Sequence, residues 1–197
     1  MQLNRIKIHD KFKLLLPVLT QSEKQELTDS ILKDGCREPL VIWNGVLIDG
    51  HNRFDICTEH DIDFKTVNME FEDEQSAMDW IDQNQLGRRN LSPDAFKLAL
   101  GRRYNRIRQN HGGQIPGSSG QNVHSLPKTA DKLSTEHAVS EKTVRRAGKF
   151  AEEVERKPEY QKAIQNNVPI KQVEKQKKKA ELERKKEIVV ENLKKSI

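Results

Sequence analysis

The sequence predicts an α+β chain: a small sheet domain, then an all-α helix–turn–helix domain, then a charged C-terminal helix. Three observations carry this. Leu40–Trp43 and Val46–Ile48 are short apolar runs joined by Asn44-Gly45, the two-residue signature of a β-hairpin. Thr129 to Phe150 follow helix–turn–helix spacing around a central Ser140. From Lys171 onward the chain is rich in Lys and Glu with few apolar positions, which reads as a solvated single helix.

Taken in order, Leu3–Ile8 alternate apolar and polar residues, as a short strand does. Thr20–Lys33 read as a helix with a capping box from Ser22 to Gln25 and an apolar face of Leu27, Ile31 and Leu32. Gly35 supplies a left-handed C-cap. The hairpin follows, then a helix over Phe54–His60, a break at Asp61–Asp63 and a third strand over Phe64–Met69. Ser76–Leu86 form a helix with Ala77, Trp80 and Ile81 on one side. Ser92 and Pro93 are the N-cap and first residue of a helix reaching about Gln109, with Phe96, Leu100 and Tyr104 on one stripe. Residues 110–128 are rich in Gly, Ser, Asn and Gln and read as a flexible loop. The expected domains are therefore 1–90, 91–170 with the loop inside it, and the tail 171–197.

Composition bounds the function. Charged residues make up 33% of the 197, and mean hydropathy is −0.85, which argues against a membrane-spanning protein. No signal-peptide pattern opens the chain, so a cytoplasmic location with free thiols at Cys36 and Cys57 is expected. Charge is uneven. Residues 1–80 carry 9 Lys/Arg against 16 Asp/Glu, residues 81–150 carry 13 against 5, and residues 171–197 carry 10 against 5. A polyanion would meet the middle and the tail.

Two stretches carry chemistry. In Val46–Ile56 an apolar strand runs through Asp49-Gly50 into His51, Asn52 and Arg53. Strand, glycine turn and helix start together make an anion site, because backbone N–H groups converge there and an arginine clamps phosphate oxygens. In the helix–turn–helix, Leu133 of the first helix, Val139 of the turn and Val144 and Ala147 of the second helix make a small core. That leaves Lys142, Thr143, Arg145, Arg146 and Lys149 on the exposed face of the second helix, suited to a major groove. The arginines between Leu86 and Arg108 are expected to meet DNA phosphates.

Three segments in order, G-C-R-E-P-L (Gly35–Leu40), D-G-H-N-R-F-D-I (Asp49–Ile56) and Q-N-Q-L-G-R-R-N-L-S-P (Gln83–Pro93), followed by the helix–turn–helix, resemble the ParB family. The likeness is greatest to its short phage, plasmid and integrative-element members. It covers roughly residues 20–170 and implies a mixed-sheet N-terminal domain of the ParB/sulfiredoxin fold. It further implies a site for CTP or another NTP with Mg²⁺. Gly35 and Arg37 would approach the nucleotide, Gly50, His51, Asn52 and Arg53 would form the phosphate turn, and Asn84 and Arg88 would meet the triphosphate. Asn84 would also ligate Mg²⁺. Double-stranded DNA, a nucleotide and a second copy in a homodimer are the implied partners.

Partition members of the family carry G-E-R-R where this chain has Gly50-His51-Asn52-Arg53. Losing the carboxylate and one arginine favours binding over hydrolysis. Sulfiredoxin chemistry needs a cysteine between that glycine and arginine, and none is there. Three readings stand. One is a DNA-binding protein acting in partition, replication or transcription control on a mobile element. Another is a nucleotide-dependent enzyme (NTPase, kinase or nuclease) of the same fold. The third is a purely structural protein–protein module.

Overall fold

The computed structural model describes residues 6–88, 91–111 and 129–195. The order is α1 (Asp10–Lys13), α2 (Gln21–Asp34), β1 (Leu40–Trp43), β2 (Val46–Asp49), α3 (His51–Glu59), β3 (Thr66–Asn68) and α4 (Glu74–Leu86). The helical part follows with α5 (Pro93–His111), α6 (Thr129–Glu136), α7 (Glu141–Arg156), α8 (Pro158–Gln165) and α9 (Ile170–Lys195). This is the mixed-sheet domain, helical domain and charged terminal helix that the sequence predicts. Most of the expected loop, residues 112–128, lies outside the described residues.

The sheet runs β2–β1–β3, with β1 antiparallel to β2 and parallel to β3. Asn44 and Gly45 both take positive φ, 49° and 75°, as the tight hairpin requires. A bulge separates the Val41–Asp49 pair from the Ile42–Leu47 pair. Bulges re-aim side chains where a strand ends, and here the residue affected is Asp49. Phe12 of α1, Leu15 just after it, and Ala77 and Ile81 of α4 cover Ile48. Helices α2 and α3 pack on each other through Ile31, Ile56 and Cys57.

Several local expectations shift. The strand over Leu3–Ile8 reduces, among the described residues, to one parallel bridge from Lys7 to Val46. The capping box of α2 is Thr20–Glu23, two residues earlier than Ser22–Gln25, because Thr20 is the last extended residue. Leu32 is exposed rather than on the buried face. Gly35 has φ 73° and ψ 176°, a glycine-only region but not the left-handed helical one. Helix α3 begins at His51 rather than Phe54, and α7 runs on to Arg156. Asp73, accepting from Ser76 N at 2.7 Å, caps α4 and moves its start to Glu74.

Helix α5 is the spine of the second half. One cluster joins its Ala95 and Leu98 to Phe150, Ala151 and Val154 of α7 and to Tyr160 and Ile164 of α8. Another joins Leu100 to Leu133, Val144 and Ala147, with Phe96, Tyr104 and Val139 packed around it. A Cβ on Gly101 would lie 2.0 Å from the Ala147 carbonyl oxygen, so α5 and α7 cross at backbone contact.

Candidate functional site

The hairpin delivers the chain to Gly50, which takes φ 93° and ψ 22° as the N-cap of α3. A Cβ there would meet Leu40 Cδ2 at 2.6 Å. Only glycine makes this turn without strain, and the turn sets the start of α3 against the end of β2. The first turn of α3 has no side-chain cap, so its leading N–H groups remain for a ligand.

A cleft of about 110 Å³ opens at this point, lined by Leu16, Pro17, Leu19 and Leu27 on one side and Asp49–Arg53 and Arg88 on the other. A second cleft of about 330 Å³ shares Pro17, Leu19 and Arg88 with it and continues to Glu23, Leu91 and Asn167. Five predicted nucleotide residues, Gly50, His51, Asn52, Arg53 and Arg88, therefore come together. Gly35, Arg37 and Asn84 do not line this cleft. Arg37 is exposed and turns back to Asp34 Oδ2 at 3.3 Å. Asn84 lies exposed on α4. No group of three or more His, Cys, Asp or Glu side chains among the described residues is arranged to hold a metal.

The electrostatics depend on a residue that the sequence reading did not assign. Asp49 accepts from Arg53 Nη2 at 3.3 Å and from Arg88 Nη2 at 3.1 Å. Glu38 accepts from Arg53 Nη1 at 2.9 Å. His51 is 4% exposed, and neither ring nitrogen has a hydrogen-bond partner. Burial first, and Lys13 second, hold its imidazole below the ordinary histidine range. It is neutral at neutral pH and offers one donor and one acceptor. Burial and a hydrogen bond to Cys36 push the nearby Cys57 thiol up to about 12. It is not a nucleophile at neutral pH, and both cysteines are free.

The helix–turn–helix face is built as its pattern predicts. Ser140 Oγ accepts from Thr143 N at 3.1 Å and starts α7. Ala138 makes the turn with φ 52°, where a glycine is more usual. Val144, Ala147, Gly148, Phe150 and Ala151 are buried, while Lys142, Thr143, Arg145, Arg146 and Lys149 are all exposed. Arg145 pairs with Glu141 one turn back.

One expectation is overturned. Arg102, Arg103 and Arg106 do not face outward for phosphate. Arg106 Nη2 donates to Asp82 at 2.5 Å, Arg102 lies 3.9 Å from the same carboxylate, and Arg103 reaches Asp79 at 3.3 Å and Glu136 at 2.6 Å. The acids sit on α4 and α6, so these arginines tie both neighbours to α5. The i, i+3 and i, i+4 spacing of acids on α4 and arginines on α5 was visible in sequence, but their facing was not.

The whole arrangement is similar to a solved structure described as the C2221 form of a Pnob8-like ParB-N domain. The match has a TM-score of 0.54 at 19% identity, over 86% of this chain and 75% of that chain. The fold is that of a ParB N-domain. A second structure, of a pNOB8-like ParB N-domain, matches with a TM-score of 0.50 at 21% identity, over 74% of this chain and 60% of that one. No family model matches the sequence, and no curated protein matches it. Within the ParB N-domain fold, the cleft lies where β2 meets α3 and the basic face belongs to α7. No helix among the described residues is long and apolar enough to cross a membrane.

Proposed function

We propose that this protein binds double-stranded DNA through α7 and holds a nucleotide phosphate chain in the cleft at the start of α3. The observation that carries the DNA reading is the exposed face of α7. Five polar or cationic side chains stand on one side of a helix whose other side is buried on α5 and α6. Cations there neutralise backbone phosphates, and the shorter Thr143 reaches base edges. Partition, replication or transcription control on a mobile element is the setting, with a homodimer as the working form.

The cleft fits a phosphate chain by its donors: uncapped N–H groups, Arg53, Arg88 and the unpartnered imidazole of His51. CTP or another NTP with Mg²⁺ is the proposed ligand, and its binding would alter self-association. The enzyme reading gives the phosphate chemistry to Arg53 and His51, which both line the cleft; the neutral imidazole would exchange a proton with a ligand oxygen.

Duplex binding measured across a salt series tests the first part. Affinity is expected to fall steeply with salt, and Arg145→Ala with Arg146→Ala to flatten the slope by about 1–2. Unchanged affinity and slope would overturn the DNA reading. Titration with CTP, ATP and GTP tests the second part, with Arg53→Ala expected to abolish binding. Phosphate release that disappears in His51→Ala would favour the enzyme.

A further inference from the structure

The chain has two cysteines, and the fold brings them together. Cys57 lies on α3 and is 1% exposed, in the cluster that joins α3 to α2 through Ile56 and Ile31. Cys36 follows Gly35, whose φ of 73° turns the chain at the end of α2 and lays Cys36 against the same cluster. The two thiols hydrogen-bond to each other, and Cys36 Sγ also donates to the Glu38 carbonyl oxygen at 3.4 Å. Cys36 is only half-buried, so one residue of the pair meets solvent and the other does not. Filling a small core needs an apolar side chain at each position. It does not require that both be thiols or that the two meet.

We propose that Cys36 and Cys57 are a redox modification site: a peroxide oxidises them to a reversible disulfide within the chain, which staples the end of α2 to α3. Cys36 reacts first, because it is the accessible one. Its sulfur attacks a peroxide oxygen. The S–O bond forms, the O–O bond breaks, and the hydroxide that leaves takes a proton to become water. Cys57 Sγ then attacks Cys36 Sγ. The S–S bond forms, the S–O bond breaks, and the hydroxide that leaves takes the Cys57 proton as a second water. The two thiols lose two electrons and the peroxide gains them. Burial holds the Cys57 thiol well above the ordinary thiol range, so it starts nothing at neutral pH. In the second step its adjacency to Cys36 stands in for prior ionisation. A small thiol reverses the linkage by exchange. The disulfide joins the loop that carries Glu38 to the helix that carries Arg53, a pair 2.9 Å apart beside the candidate cleft.

The test is treatment of the reduced, folded protein with hydrogen peroxide, followed by intact mass and peptide mapping without reductant. The expected product has lost two hydrogen atoms, carries one link between the Cys36 and Cys57 peptides, and regains both thiols in dithiothreitol. Its thermal midpoint is expected to lie about 5–10 °C above that of the reduced protein. Cys36→Ser, at the half-buried position, is expected to show neither the link nor the shift. Cys57→Ser is expected to stop at a sulfenic acid on Cys36, trapped with dimedone. Should Cys57→Ser fail to fold, the unmodified protein and Cys36→Ser decide the question by themselves. Two thiols that still titrate after peroxide overturn the proposal. So does a link between two chains in place of one within a chain, or a link that forms only in urea.

Discussion

Arg106 Nη2 lies 2.5 Å from Asp82 Oδ2, and this ion pair joins α5 to α4 around a fully buried carboxylate. Burial raises the Asp82 carboxyl above the usual carboxylate range, while Arg106 and Arg102 oppose that rise. Removing one member of such a set leaves the others buried and uncompensated. Asp82→Ala is therefore expected to lower the unfolding free energy by about 3–5 kcal/mol, measured by urea denaturation. A loss under ~1 kcal/mol, the range of a surface pair, would show that the network is solvated instead.

The crossing of α5 and α7 makes a ranked prediction. A methyl on Gly101 meets backbone at 2.0 Å, whereas one on Gly148 meets the Tyr104 ring edge at 2.6 Å and the Asn105 side chain at 2.8 Å. Side chains can turn aside and backbone cannot. Gly101→Ala should cost about 2–3 kcal/mol or more, and Gly148→Ala less. Thermal midpoints in the opposite order would contradict the close helix crossing.

Stability should fall on mild acidification, for a traceable reason. Burial is the first cause holding both His51 and His137 below the ordinary histidine range. His137 Nε2 also faces Arg103 Nη1 at 3.2 Å, and since a guanidinium only donates, the imidazole must accept there. Unfolded histidine takes a proton near pH ~6.5 while the folded protein resists it. This stability is thus whole above that pH and is lost as pH falls through it. The urea midpoint should drop between pH 7.5 and 5.5, and His51→Gln with His137→Gln should flatten the dependence. A double variant with the same slope as the unmodified protein would assign the effect elsewhere.

The start of α2 separates two capping schemes. Thr20 Oγ1 accepts from Glu23 N at 3.3 Å, and Glu23 accepts from Thr20 N at 2.8 Å. Thr20→Ala should cost about 1 kcal/mol, while Ser22→Ala should cost close to nothing. Equal losses from both would mean that the helix starts at both places.

By itself, the sequence determined the elements whose causes are local. Asn44-Gly45 made the hairpin, Ser140 the start of α7, Ser92-Pro93 the start of α5, and the apolar spacing of Val144 and Ala147 the exposed face of α7. Each depends on residues a few positions apart, so a linear reading finds it. The turn at Gly50 was legible for the same reason. Only the tertiary structure decided which charges meet. Asp49 and Arg88 are 39 residues apart, Arg106 and Asp82 24, and Arg103 and Glu136 33. A charged side chain carries no periodic signal that names a distant partner. Hence three arginines assigned to DNA proved to be buried ties, and an aspartate that the motif contained without a role proved to sit between the two arginines of the candidate phosphate cleft.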